Sequence, residues 1–228
     1  MSKCMFSLKN ISVRYGENLA IDDVTAAFEP GDFIGIFGHN GSGKSTLLKV
    51  ISGLERSTSG SILVNQQEMS QNILKSHAVF IQDSPALYDY LSIRENVGFA
   101  CSIWGEDVSE TLNRLLLFGV QSDFETLVKN LSLGTRKKMG YVLSTLKKGP
   151  LFILDEPFNG LDAETVKLVA RDLRLAKERG RTVVMTAHDP SPILDLLDRQ
   201  IVLESGRVLD DVPRPFNGPL STAEFQAK

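Results

Sequence analysis

The apolar run Phe33-Ile34-Gly35-Ile36-Phe37 leads into Gly38-His39-Asn40-Gly41-Ser42-Gly43-Lys44-Ser45-Thr46. Apolar residues then resume at helical spacing, at Leu47, Leu48, Ile51 and Leu54. A continuous apolar run suits a strand buried on both faces of a parallel sheet, and the later spacing gives a helix one buried face. Gly38 and Gly43, followed by Lys44 and Ser45, match a phosphate loop in the strand–loop–helix setting that such a loop requires. Glycines let amides near Gly41, Ser42 and Gly43 turn towards phosphate oxygens, and the helix adds its positive end. Lys44 would neutralise the β- and γ-phosphates, and the Ser45 hydroxyl would ligate Mg²⁺. An ordinary Gly/Ser-rich loop would not demand this setting. The unit commits the chain to a layered α/β fold.

The flanking sequence extends that expectation. Phe6, Leu8, Ile11 and Val13 roughly alternate with polar residues before the turn signal Tyr15-Gly16-Glu17-Asn18, and Val24 to Phe28 reads as another strand closed by Pro30-Gly31. From about Ser92 to Leu146 the pattern is mostly helical, broken at Trp104-Gly105 and Phe118-Gly119. Alternating elements then return: a buried strand at Leu151–Leu154, an amphipathic helix at Ala163–Arg179 and a β-branched strand at Thr182–Thr186. Ile193 to Leu197 reads as helical. Gln200–Leu203 and Arg207–Leu209 form a hairpin through Glu204-Ser205-Gly206.

Composition narrows the partners. A net charge of −3 gives no basic footprint for nucleic acid, and no polybasic cluster would hold the chain on anionic lipid. Cys4 and Cys101 have no metal-ligand spacing and read as reduced cytosolic thiols. The start MSKCMFSLKN lacks the apolar stretch of a signal peptide, and AEFQAK carries no prenylation box. No window approaches the ~18 consecutive apolar residues of a membrane span. Work at a membrane would therefore need another chain.

Two further segments carry chemistry. Asp155 and Glu156 end the strand Leu151–Leu154, and carboxylates at the C-terminal end of a parallel strand face the ligand crevice. Asp155 suits Mg²⁺, reached through water, and Glu156 suits a general base that polarises the attacking water. Their plainer reading is an N-cap pair for the next helix. Leu131-Ser132-Leu133-Gly134-Thr135 reads as a helix start with Ser132 as N-cap, and Met139, Leu143 and Leu146 mark its buried face. Arg136-Lys137-Lys138 then places three cations in the first turn, against the helix dipole. Either an anion docks at this helix start or the cations form a solvated patch.

Taken together, these segments resemble the nucleotide-binding subunit of an ATP-binding cassette (ABC) transporter over nearly the whole chain, and the motifs follow in the family's order. Gly38–Thr46 resembles the Walker A loop, Leu151–Glu156 the Walker B strand and Leu131–Thr135 the signature. Asn159-Gly160-Leu161-Asp162 resembles the D-loop. The resemblance implies that Tyr15 stacks on adenine, that Gln82 couples Mg²⁺ to the helical part, and that His188 contacts the γ-phosphate. Alone, each of these three would pass for a turn residue or a strand end. The signature departs from the family's commonest Leu-Ser-Gly-Gly-Gln, with Leu133 for the first Gly and Thr135 for Gln. Ser132 and Gly134, which resemble the donors to phosphate, remain.

The implied fold is an α/β phosphate-loop NTPase core with an antiparallel β subdomain and an inserted helical subdomain. Residues 1–91 and 147–228 would form the nucleotide-binding core and 92–146 the helical signature part. The implied chemistry is ATP hydrolysis with Mg²⁺, in a head-to-tail pair of nucleotide-binding domains serving a separate integral membrane permease at the cytoplasmic face. The pairing would place Arg136–Lys138 near the partner's phosphates. The Asn-Gly-Leu-Asp loop and Lys-rich signature helix resemble exporter subunits for drugs or antimicrobial peptides. Two alternatives stay open at this stage. One is a single-domain cytosolic ABC ATPase of the iron–sulfur cluster assembly type. The other is a small-molecule kinase, which must treat the signature, D-loop and His188 as coincidence.

Overall fold

Backbone pairing divides the strands into two sheets. The computed structural model describes residues 6–120, 123–187 and 189–214. In chain order its elements are β1 (Phe6–Tyr15), β2 (Asn18–Phe28), β3 (Phe33–Phe37), α1 (Lys44–Ile51), β4 (Ser59–Val64), β5 (Gln67–Glu68), α2 (Gln71–His77) and β6 (Ala78–Ile81). Then come α3 (Ile93–Trp104), α4 (Val108–Leu117), α5 (Leu133–Ser144), β7 (Leu151–Leu154), α6 (Ala163–Glu178), β8 (Thr182–Thr186), β9 (Arg199–Glu204) and β10 (Arg207–Pro213). One sheet, in the order β2-β1-β4-β5, is antiparallel throughout. The other runs β10-β9-β3-β8-β7-β6 and is parallel except for the β10 edge.

Period-two alternation on fully buried strands creates two cores from one sheet. Phe33 and Phe37 of β3, Phe152 and Leu154 of β7, and Val183 and Met185 of β8 face the core shared with α3 to α6. Ile34 and Ile36, Leu151 and Ile153, and Val184 face the opposite core, which they share with α1 and the antiparallel sheet. β3 can be apolar at every position because neither face meets water. Helix starts follow side-chain chemistry. Ser92 and Glu95 cap α3 reciprocally, and Asp107, Ser132 and Asp162 cap α4, α5 and α6.

Several expectations shift at their edges. The strand anticipated at Val24–Phe28 begins at Asn18, because the tight turn at Gly16-Glu17 folds β2 directly onto β1. The helix after the phosphate loop ends at Ile51, so Leu54 lies beyond it and is 48% exposed. Gly53, at φ +76°, turns the chain there, and its position against Gln71 O and Leu74 Cβ leaves no room for a side chain. The helix anticipated at Ile193–Leu197 is instead a short 3₁₀ turn at Ser191–Ile193 followed by tight turns. Pro190 and Pro192 lack amide donors, and Asp198 N already bonds Phe33 O to start β9, so no length remains for a helix. Among the described residues no helix is long and apolar enough to cross a membrane.

Ile36 is fully buried in the core under α1, and Ile36→Ala should cost about 2–5 kcal/mol. Leu54→Ala should change stability by no more than about 0.5 kcal/mol. Urea midpoints with an unchanged slope will separate the two.

Candidate functional site

The loop between β3 and α1 is shaped before any ligand arrives. A Cβ at Gly38 would stand 2.2 Å from Leu203 O and 2.6 Å from Ser42 Oγ, and one at Gly43 would stand 2.5 Å from Ala20 O. Both residues have positive φ, so the loop closes only with glycine there. Gly41 also has positive φ, at +83°, but faces open space. Lys44 folds back so that its Nζ donates to Gly38 O at 2.7 Å and His39 O at 2.9 Å. Its ammonium is pushed below the usual lysine range by burial, while the Glu156 and Asp155 carboxylates act the other way. Ser42 Oγ is buried, with no hydrogen-bond partner among the described residues.

A cleft of about 510 Å³ opens over this loop. Tyr15 and Asn18–Ala20 of the β1–β2 hairpin wall one side, Asn40, Gly41 and Gly43–Thr46 form the floor, and Glu156, Ser205 and Gly206 close it. Tyr15 is 46% exposed, with its ring available to a planar group. The Ser205-Gly206 turn was not anticipated as part of a site. It is tied to the loop by Gly206 N donating to Ser42 O at 3.0 Å, and to the hairpin by Asp22 N donating to Gly206 O. Only tertiary pairing reveals that contact.

The carboxylate pair is held by a residue that sequence reasoning passed over. Thr186, fully buried at the end of β8, donates Oγ1 to Asp155 Oδ1 at 2.8 Å and accepts from Glu156 N at 2.9 Å. A terminal hydroxyl in the otherwise apolar run Thr-Val-Val-Met-Thr was the available signal. Glu156 has φ +48°, a left-handed conformation that costs a non-glycine residue about 1–3 kcal/mol and persists only where its surroundings hold it. The N-cap of the next helix is Asp162, not the Asp155–Glu156 pair.

The remaining anticipated residues lie elsewhere. Gln82, exposed at the end of β6, lines a separate groove of about 630 Å³ between the parallel sheet and α3. Ser132 and Gly134 sit at the start of α5 and do not line the nucleotide-sized cleft. Ser132 Oγ accepts from Thr135 N and lies 2.8 Å from Thr135 Oγ1. Leu133 is 63% exposed in ordinary helical conformation. Asp162 accepts from Thr165 N and Oγ1. His188 lies outside the described residues.

The three cations of α5 form neither a solvated patch nor a free anion cradle. Arg136 pairs with Asp89, Lys137 with Asp83 and Lys138 with Asp162, at 2.5–2.6 Å. Carboxylates of the same chain thus answer the charges that oppose the helix dipole.

A parallel sheet with a glycine-built phosphate cradle at its strand ends, and two carboxylates two strands away across β8, defines a phosphate-loop nucleotide hydrolase. A protein-family model described as ABC transporter matches residues 21–159. An ABC transporter ATP-binding protein of Methanosarcina acetivorans is 32% identical over 96% of this chain and 43% of its own length. The bacitracin transport ATP-binding protein of Bacillus licheniformis is 31% identical over 90% of this chain and 68% of its own. A sulfate/thiosulfate import ATP-binding protein of Chlorella vulgaris is 33% identical over 89% and 88%. This chain therefore spans less than half of the archaeal relative and most of the algal one. A dimeric bacterial ABC transporter cassette of known structure superposes with a TM-score of 0.80 at 25% identity, covering 92% of this chain and all of that one. The chain belongs to the ABC transporter family and is an ATPase of that class.

Thr186→Val keeps the side chain's shape but removes its hydroxyl, leaving Glu156 N and Asp155 Oδ1 each short of a partner. Stability should fall by about 1–3 kcal/mol in urea titrations, with slower ATP turnover. Acid provides a separate check. The Lys138 contact, ahead of the Thr165 bonds, holds the Asp162 carboxyl well below the usual carboxylate range. A depressed folded-state pKa gives stability that is present above about pH 4 and lost as pH falls towards the folded value. The melting-temperature gap between wild type and Asp162→Asn should therefore shrink below about pH 4.

Proposed function

We propose that this chain binds and hydrolyses ATP as one of a pair of cassettes that power a separate membrane permease. One observation carries the pairing. Ser132 and Leu133 at this helix start are exposed, Gly134 is half-buried, and all three stand apart from the chain's own cleft, so a nucleotide held by a second cassette would meet them. The partner is a second copy or a related chain. In this reading residues 1–91 and 147–228 act as the nucleotide-binding core and 92–146 as the helical part.

Tyr15 stacks on adenine, and His39, Asn40, Thr46 and the amides of Gly41–Gly43 surround the phosphates. Lys44 exchanges its loop carbonyls for β- and γ-phosphate oxygens, an exchange favoured because its burial leaves the charge poorly solvated. The buried Ser42 hydroxyl and the open side of Gly41 fit an anion lying across the loop. Mg²⁺ is a hard cation that takes oxygen ligands and substrate phosphates rather than an all-protein cage. The donors here suit it: Ser45 beside the phosphates, Asp155 oriented by Thr186, and Gln82. Among the described residues no cluster of three His, Cys, Asp or Glu side chains would hold a metal alone. When bound, the ion neutralises charge building on the phosphates. Glu156 orients and polarises water from its strained backbone position, and His188 contacts the γ-phosphate.

The groove beside Gln82 exposes Leu54, Tyr88, Phe99, Ile103 and Trp104. Such an apolar surface suits permease helices that receive movement of the helical part. Export is the finer reading, supported by the Asn159–Asp162 resemblance and the bacitracin relative. The sulfate importer matches as well, so the permease that co-purifies will decide direction.

Glu156→Gln should lower turnover by about 10²–10⁴-fold while ATP affinity is retained. Turnover at the wild-type rate would remove Glu156 from its assigned role. Tagged Glu156→Gln chain, purified from gently solubilised membranes with ATP and Mg²⁺, should bring down a polytopic protein. A soluble assembly in its place would contradict the permease reading.

A further inference from the structure

Lys137 touches more of the catalytic surroundings than its neighbours do. Its Nζ donates to Asp83 Oδ1 at 2.6 Å and to Asn159 O at 2.9 Å, while Asn159 Nδ2 donates to the same Asp83 oxygen at 3.3 Å. Asp83 follows Gln82 directly. Asn159 N bonds back to Glu156 O at 3.1 Å. Lys137 itself lies about one turn beyond Ser132 on α5. One ammonium therefore joins the loop of Gln82, the loop of Glu156 and the helix that begins at Ser132. Its side chain is 11% exposed, whereas Asp83 is 44% exposed, so the cation is the desolvated member of the pair. Arg136 meets one carboxylate and Val128 O, and Lys138, nearly as buried as Lys137, meets the carboxylate of Asp162.

The packing around this node is tight for an independent reason. A Cβ on Gly140, one turn further along α5, would come within 2.0 Å of Pro85 Cβ. The absence of a side chain lets α5 lie directly on the segment that follows Asp83. On the other side, Gly134 faces Gly160 O, which a Cβ would meet at 3.6 Å. The close approach at Gly140 and the ordinary contact at Gly134 lie on either side of the charged one, so α5 packs against both loops that Lys137 joins.

We propose that Lys137 is a positioning residue for ATP hydrolysis. Through Asp83 and Asn159 it couples phosphate docking at Ser132–Gly134 to the placement of Gln82 and Glu156. The inference rests on reading Ser132–Gly134 as the contact for a second cassette's nucleotide. It goes beyond that reading by naming the residue that relays the contact within the chain. Lys137 touches neither the nucleotide cleft nor the phosphate loop, so removing it leaves nucleotide binding intact and misplaces the groups that act on the bound phosphate.

The test is steady-state ATP turnover, with affinity for a fluorescent ATP analogue measured in parallel. The proteins are wild type, Lys137→Met, Lys137→Arg and Asp83→Asn. For Lys137→Met, kcat should fall about tenfold, a factor equivalent to ~1.4 kcal/mol in the barrier. KM and analogue affinity should stay within about twofold, the pattern of an interaction made only on the way to the transition state. Lys137→Arg, which keeps a cation with several donors, should recover most of the rate. Asp83→Asn should reproduce the split, and it keeps the volume of the side chain should Lys137→Met fold poorly.

Unchanged kcat in both Lys137→Met and Asp83→Asn, beside an active wild type, overturns the proposal and leaves the cassette reading standing. Parallel changes in kcat, KM and melting temperature in both variants overturn it as well, in favour of a purely structural pair. Wild-type chain that does not hydrolyse ATP, together with Glu156→Gln chain that does not dimerise with ATP, overturns the cassette reading, and this inference falls with it.

Discussion

Lys44 places a charge where water scarcely reaches, and two carbonyl oxygens of its own loop receive it. Those carbonyls face the ammonium because Gly38 presses against Leu203 O and the Ser42 hydroxyl, a position any Cβ would block. Leu203 belongs to β9, whose pairing with β3 fixes the loop's starting point. The turn from β9 to β10 then returns to bond the loop at Ser42 O. The phosphate cradle is therefore a product of the whole parallel sheet, assembled around one buried charge. Phosphate oxygens would offer that charge a stronger partner than amide carbonyls can.

The second half of the chemistry is held from a neighbouring strand. Thr186 spends one hydroxyl on both Asp155 and the Glu156 peptide, which keeps Glu156 at positive φ over the cleft. Contacts on α5 follow a similar logic. Cations at the wrong end of a helix dipole are tolerated because Asp83, Asp89 and Asp162 reach them from separate segments. Local electrostatic cost is thereby turned into long-range attachment between the signature helix and the loops of the site.

How much of this could be read from sequence varied with how local the cause was. Strand–loop–helix order, the apolar strands and the Ser132 cap rest on residues close in sequence, and those elements appear where the pattern placed them. Leu54 and the Ile193–Leu197 stretch went astray because a glycine turn and two prolines override apolar spacing. Ser59–Val64 lacks clean alternation and becomes a strand by pairing with β1. The loop residues that line the cleft were legible as a motif. Thr186, the Ser205-Gly206 turn and the acidic partners of Arg136–Lys138 were not, because each acts through a contact across the fold that no spacing rule encodes.

In the proposed pairing, Ser132–Gly134 serves a nucleotide other than the chain's own. A structure of the Glu156→Gln chain with ATP and Mg²⁺ tests it most directly. The expected result is two cassettes head to tail, with each nucleotide lying between the Gly38–Thr46 loop of one chain and Ser132–Gly134 of the other. A single cassette closed over its nucleotide, with Ser132–Gly134 touching no phosphate from any chain, would contradict it.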